Sequence, residues 1–246
     1  NSFHKQKWLS FDQAIEISEF DKLFKPQKEE VFNQRIKLPS EYVCLAKFQK
    51  KVPPSAIRAL DYLKKRGVCE KDILKWKIGY CNSGKYKNRI IIPSFDQEGY
   101  CNYFIARTYG EDWLTYKNPP VSKNVIFNEL LINWSVPVTL VEGVFDAIRA
   151  TNAIPLLGST LNVRSKLFKG ILEKQSKIYL ALDGDAEKKS LQVIRDMISY
   201  GIDVSKVDIS GYKDVDSMSK EEFLIRRKLA KPVTSDSLLT LNINVA

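Results

Sequence analysis

"KIYLALDGDA", residues 177–186, is an apolar run that ends on Asp183, Gly184 and Asp185. A short run of β-branched, aromatic and leucine side chains closed by Asp and Gly reads as a buried strand. Three other stretches have the same form: "VPVTLVEG" (136–143), "AIPLLGS" (153–159) and "KVDISG" (206–211). Segments of helical period separate them, and strands alternating with helices predict an α/β fold on a parallel sheet. After Asp185, Leu191, Ile194, Met197 and Ile198 share one face of a predicted helix that Gly201 is placed to end. Ser219 and Glu222 form a capping box for a last helix running to about Ala230.

Ligands of parallel α/β sheets sit outside the carboxyl ends of the strands, so charged residues that close the apolar runs carry the most information. "TLVEGVFDA" supplies Glu142 and, one helical turn on, Asp146; "LALDGDA" supplies Asp183 and Asp185; "SGYKDVDSM" supplies Asp214 and Asp216. All six are expected at one edge of the sheet. Crowded carboxylates repel unless a cation joins them, and Mg²⁺ prefers hard oxygen ligands, keeps waters and bridges to phosphates. Asp183 and Asp185, at i and i+2, point the same way if extended, and Gly184 lets the backbone turn between them. Any one of these acidic pairs alone also fits a turn or helix cap, and Asp214 with Asp216 fits a turn before the capping box.

Upstream, "KVPPSAIRALDYLKKRGVCEKDILKW" (51–76) reads as a proline break and two short amphipathic helices around Gly67. "NRIIIPSFDQEGYCNYFIARTYG" (88–110) reads as two strands joined at "DQEG", with Lys85, Lys87, Arg89, Arg107 and Lys117 on its flanks. Tyr86, Tyr100, Tyr103, Phe104, Tyr109, Trp113 and Tyr116 lie nearby and could stack bases of a single strand, or pack the core. The boundaries expected are an N-terminal arm or linker over 1–36, an α+β subdomain over 37–135, a metal-binding α/β domain over 136–230 and a tail over 231–246.

Across 246 residues, 39 Lys and Arg outnumber 29 Asp and Glu, a net charge of +10 that favours a polyanionic partner such as nucleic acid. No stretch approaches a membrane span and the first residues lack a signal-peptide core, so a soluble, intracellular chain with no membrane partner is expected. Cys44, Cys69, Cys81 and Cys101 contain no C-x-x-C pair and His4 is the sole histidine, so zinc is not expected and the thiols read as reduced. A start at Asn1 suggests a fragment or processed chain.

In order, "EGVFDA", "GSTLN", "LALDGDA" and "KDVDSM" resemble the Toprim domain of DnaG-type DNA primases. Residues 58–81 resemble the helical segment opening the primase polymerase domain, residues 88–110 its basic strand pair, and "TYKNPP" with "VIFNE" the loop leading into Toprim. The resemblance covers roughly residues 55 to 230. It implies a Toprim-type parallel sheet preceded by a smaller mixed subdomain, and a nucleotidyltransferase that makes RNA primers on single-stranded DNA from NTPs with Mg²⁺ or Mn²⁺. It gives Glu142, Asp183 and Asp185 catalytic roles, adds Asp146, Asp214 and Asp216 to the metal positions, and assigns nucleotide or template contacts to Arg89, Arg107, Lys117, Asn118, Lys85 and Lys87. A Toprim-type nuclease and a nucleic-acid-binding module with a degenerate site are the alternatives; a topoisomerase would need a tyrosine nucleophile on a further domain.

The chain departs from that pattern at Thr115, where the family has lysine, at Asn128-Glu129, and at Ala186-Glu187-Lys188-Lys189, where an Ala-Gly-Arg pattern is usual. Zinc-ribbon cysteines and a helicase-binding segment are absent from it. Template recognition and coupling to a replicative helicase are then expected from a separate or missing zinc module, from another protein, or not at all. A compact, Lys-rich, divergent form suits a phage or mobile-element primase in the cytoplasm, the host's if phage-encoded.

Overall fold

The structure is a computed structural model, which describes residues 34–48, 51–158, 161–183 and 187–234. The expected arm up to residue 33, Ser159 and Thr160 of "GSTLN", Asp185, and the tail from residue 235 lie outside the described residues.

Four antiparallel strands, β1 (Tyr42–Cys44), β2 (Gly79–Cys81), β3 (Arg89–Phe95) and β4 (Cys101–Thr108), lie side by side in that order. β3 and β4 are the strand pair expected from residues 88–110, and Gly99 takes φ 84° in their turn. Pro93 is tolerated inside β3 because β2 pairs only with Arg89 to Ile91 and stops short of it. Between β1 and β2 run α1 (Pro54–Lys65), with Pro54 at its first position, and α2 (Glu70–Lys75). Ala56, Ala59 and Leu63 form the buried face of α1.

The second sheet has the order β6-β5-β7-β8-β9, from β5 (Val138–Val141), β6 (Ala153–Pro155), β7 (Ile178–Ala181), β8 (Val204–Lys206) and β9 (Lys231–Pro232). The first four are mutually parallel, connected through α3 (Val144–Arg149), α4 (Lys166–Glu173) and α5 (Glu187–Ser199); α6 (Lys220–Leu229) leads into β9. Because the chain steps from β5 outward to β6 and then crosses to β7 on the other side, the strand order reverses between β5 and β7. A crevice opens at such a point.

Three details differ from the sequence reading. The fourth parallel strand is Val204–Lys206 rather than the run 206–211: Asp208 Oδ1 accepts from Ser210 N at 2.8 Å and Gly211 takes φ 82°, so the chain leaves the sheet there. The sheet is also not wholly parallel, because the first two tail residues pair antiparallel with Ser205 and Lys206. The predicted capping box is half made: Ser219 Oγ accepts from Glu222 N at 3.0 Å, while the Glu222 carboxylate turns to Arg226 Nε at 2.6 Å.

Alternation along β5 and β7 feeds two apolar layers. Val138, Leu140, Ile178 and Leu180 pack with Phe168 and Ile171 of α4 and with Val193, Ile194 and Met197 of α5. On the opposite face Val141 and Ala181 join Phe145 of α3, Phe223 of α6, Leu63 of α1 and Ile90, Ile92 and Tyr103 of the first sheet in one cluster. Covering on both faces explains why these strands read as continuous apolar runs. No helix among the described residues is long and apolar enough to cross a membrane.

Candidate active site

Val141 of β5 is paired with Ala181 of β7. Glu142 follows Val141 directly and Asp183 lies two residues past Ala181, and their carboxyls meet through a hydrogen bond at the reversal point. The Asp183 carboxyl is pushed up to about 7, first by burial, then by the charge of Asp146, a hydrogen bond and charge from Glu142, and the charge of Asp214. Asp183 Oδ1 is buried and has no hydrogen-bond partner among the described residues. Glu142 Oε1 accepts from Lys189 Nζ of α5 at 2.5 Å.

Behind this pair the carboxylates do different work. Asp146 spends both oxygens on backbone: Oδ2 accepts from Gly143 N and Oδ1 from Asp216 N, each at 2.9 Å. Even so, burial raises its carboxyl to about 6, aided by the charges of Asp214 and Asp216. Asp216 is bound by the Arg66 guanidinium, and Arg149 Nη2 lies 3.8 Å from its Oδ1. Burial raises the Asp216 carboxyl against the pull of these two cations. Asp214 caps the turn Val215–Ser217, its Oδ1 accepting from Ser217 N at 2.8 Å. The five described carboxylates of the expected set therefore converge on one edge, while Asp185 lies outside the described residues. Among the described residues no three His, Cys, Asp or Glu side chains stand in an arrangement that could hold a metal ion on their own.

Arg66 and Arg149 belong to no motif and went unmarked in the sequence. Arg66 ends α1, and its backbone carbonyl accepts from Arg149 Nη2 at 2.8 Å. Its guanidinium also stacks on Phe145, 4.2 Å from the ring centre. Lys220 Nζ meets Asp72 Oδ1 at 2.6 Å, a second tie between the helical segment and the parallel sheet.

The basic residues divide similarly. Arg107 Nε donates to the Tyr62 hydroxyl at 2.5 Å, and Arg66 Nη1 reaches the same hydroxyl at 3.5 Å. Arg107 thus stands at the acidic edge, one tyrosine away from the group that binds Asp216. Arg89, by contrast, is only 2% exposed. Its guanidinium donates to Asp112 Oδ2 at 2.5 Å and to the carbonyls of Leu114, Thr115 and Ala106 at 2.8, 3.2 and 3.4 Å. Asn118 Oδ1 accepts from Ala106 N at 3.1 Å. Lys85 and Lys87 are exposed and Lys117 is half-buried.

Acidic strand ends at the reversal point of a short parallel sheet, with a basic antiparallel sheet packed on them, define the fold of the DnaG-type primase catalytic core, and this chain has that fold. A solved DnaG primase catalytic domain bound to ssDNA matches with a TM-score of 0.65 at 19% identity, over 78% of this chain and 76% of that one. The Aquifex aeolicus primase, in a structure of its zinc-binding and RNA polymerase domains, matches with a TM-score of 0.61 at 24% identity, over 72% of this chain and 57% of that one. In sequence the chain is similar to a DNA primase of Thermotoga maritima, 23% identical in an alignment of 213 positions that covers 67% of this chain. The match spans 37% of that primase's length. No family model matches the sequence.

Proposed function

We propose that the chain is the catalytic core of a DNA primase, joining ribonucleotides on a single-stranded DNA template. The observation that carries this reading is the contact of the Glu142 and Asp183 carboxyls at the reversal point, with Asp183 Oδ1 left unpartnered among the described residues. A buried carboxylate oxygen in the field of three other carboxylates suits a hard divalent cation, so the donor set fits Mg²⁺ or Mn²⁺. Glu142 and Asp183 would hold the ion, with Asp185 as a further ligand; when bound, it supplies positive charge to the reacting phosphate.

In the reaction the 3′-oxygen of one nucleotide bonds to the α-phosphorus of the next, the bond to pyrophosphate breaks and the hydroxyl proton is lost. Positioning and charge compensation dominate such transfers. Arg107, at the acidic edge, is suited to grip a phosphate, while exposed Lys85 and Lys87 together with Lys117 attract the polyanions. In this reading Asp146 and Asp216 serve from behind, fixing the Gly143 backbone and docking Arg66. Arg89 and Asn118 shape the surface rather than touch nucleotide. Residues 37–135 and 136–230 act as the two halves of this core, in a cytoplasmic enzyme.

The test is incubation with single-stranded template, Mg²⁺ or Mn²⁺ and labelled NTPs. Short RNA products are expected. Degradation of the template with no RNA made would instead assign the same carboxylates to attack by water.

A further inference from the structure

Trp113 is 93% exposed, whereas Trp76 is 5% exposed in the core. A lone exposed apolar side chain is ordinary. What sets this one apart is that the backbone on either side of it is held. Beyond β4 the chain doubles back as a short arm: Thr108 N donates to Thr115 O at 3.0 Å and Lys117 N to Ala106 O at 2.9 Å. Buried Arg89 ties the arm down through Asp112, Leu114 and Thr115, the residue before Trp113 and the two after it. Asp112 Oδ1 also accepts from Leu114 N at 2.9 Å, spanning Trp113. An arginine buried to 2% exposure is thus spent on presenting an indole to solvent.

The arm is ringed by cations. Arg58 Nη2 lies 3.5 Å from where a Cβ on Gly110 would stand. Lys117 acts on the Asp112 carboxylate, and Lys87 precedes Asn88, whose carbonyl accepts from Tyr109 N at 3.1 Å. Asp112 is consumed by Arg89, which leaves Glu111 as the acid of the arm without an ion pair among the described residues. At the arm's root, Arg107 lies 4.9 Å from the Tyr116 ring centre and donates to Tyr62 beside the acidic edge.

We infer that Trp113 is a stacking platform for an unpaired base of single-stranded DNA, with Arg58, Lys87 and Lys117 holding the flanking phosphates. Aromatic faces bind any base by stacking, and cations beside them hold the backbone. The inference rests on the template-binding reading above and adds the place where the strand is gripped before it passes Arg107 toward Glu142 and Asp183. Arg89 and Asp112 are positioning residues for that platform.

The experiment measures binding of a labelled oligothymidylate to the full chain across a salt series, with W113A, W113F and D112A. W113A is expected to weaken binding roughly 5- to 100-fold, with W113F retaining most of the affinity. The salt slope should not change, because no phosphate contact is removed. D112A should weaken binding in the parent but add nothing in W113A, an outcome that a general loss of stability would not give. Fluorescence assigned to Trp113, parent minus W113F, should be quenched by the oligonucleotide. Equal affinity of W113A and parent would overturn the platform while leaving template binding intact. Absence of salt-sensitive binding by the parent would remove both. Unquenched Trp113 at saturating oligonucleotide would overturn it in favour of a protein partner.

Discussion

Glu142 at the end of β5 is paired with Lys189 in the first turns of α5, Oε1 to Nζ 2.5 Å, with each side chain 22% exposed. Lys189 stands in the segment where the chain departs from the Ala-Gly-Arg pattern of DnaG-type primases. It gives Glu142 a protein counter-ion in the absence of metal.

A cation entering the edge must compete with that lysine. Replacing Lys189 with Gln removes an ion pair worth about 0.5 to 1 kcal/mol. K189Q is therefore expected to bind Mn²⁺ roughly two- to fivefold more tightly, read by paramagnetic resonance of the free ion. Unchanged or weaker binding would mean that Lys189 does not oppose the metal.

The ties behind the edge predict stability effects. D216A leaves Arg66 and Arg149 without their carboxylate in a partly buried pocket. Stranding one member of a buried pair costs about 3 kcal/mol. Urea unfolding should show that loss. A variant as stable as the parent would remove Asp216 from the docking role.

Gly67 should tolerate no side chain. It takes φ 67°, and a Cβ there would come within 2.6 Å of Arg149 Nη2. G67A is expected to cost about 1 to 3 kcal/mol in urea unfolding.

The pH dependence follows from Asp183. Its carboxyl sits at about 7 in the folded chain, raised from the ordinary 3.8 by burial and then by its acidic neighbours. Folding therefore takes up a proton, and the stability this gives is full below the ordinary range and lost as pH rises through about 7. Without metal, D183N should gain thermal stability relative to the parent between about pH 5 and about pH 8. Millimolar Mg²⁺ should abolish that gain by neutralising the carboxylate.

The acidic edge was legible because each strand ends where an apolar run meets Asp, Glu or Gly, and that local signal needs no knowledge of neighbours. Strand order was not written there, yet the reversal between β5 and β7 is what sets Glu142 beside Asp183. The fourth strand was misplaced because "KVDISG" keeps an apolar alternation through a turn made by Asp208 and Gly211. Arg89 was expected to contact nucleotide or template, since nothing local signals that residues 112–115 fold back over it. Arg66 and Asp216, 150 residues apart, meet only through tertiary packing.

In the proposed function Glu142 and Asp183 form the centre of nucleotidyl transfer. The most direct measurement is the rate of metal-dependent dinucleotide synthesis on a single-stranded template by the parent, E142Q and D183N, each with its folded state verified by circular dichroism. Both variants are expected to lose at least about 100-fold in rate while staying folded. A folded D183N or E142Q that makes dinucleotide at the parent's rate would contradict the account.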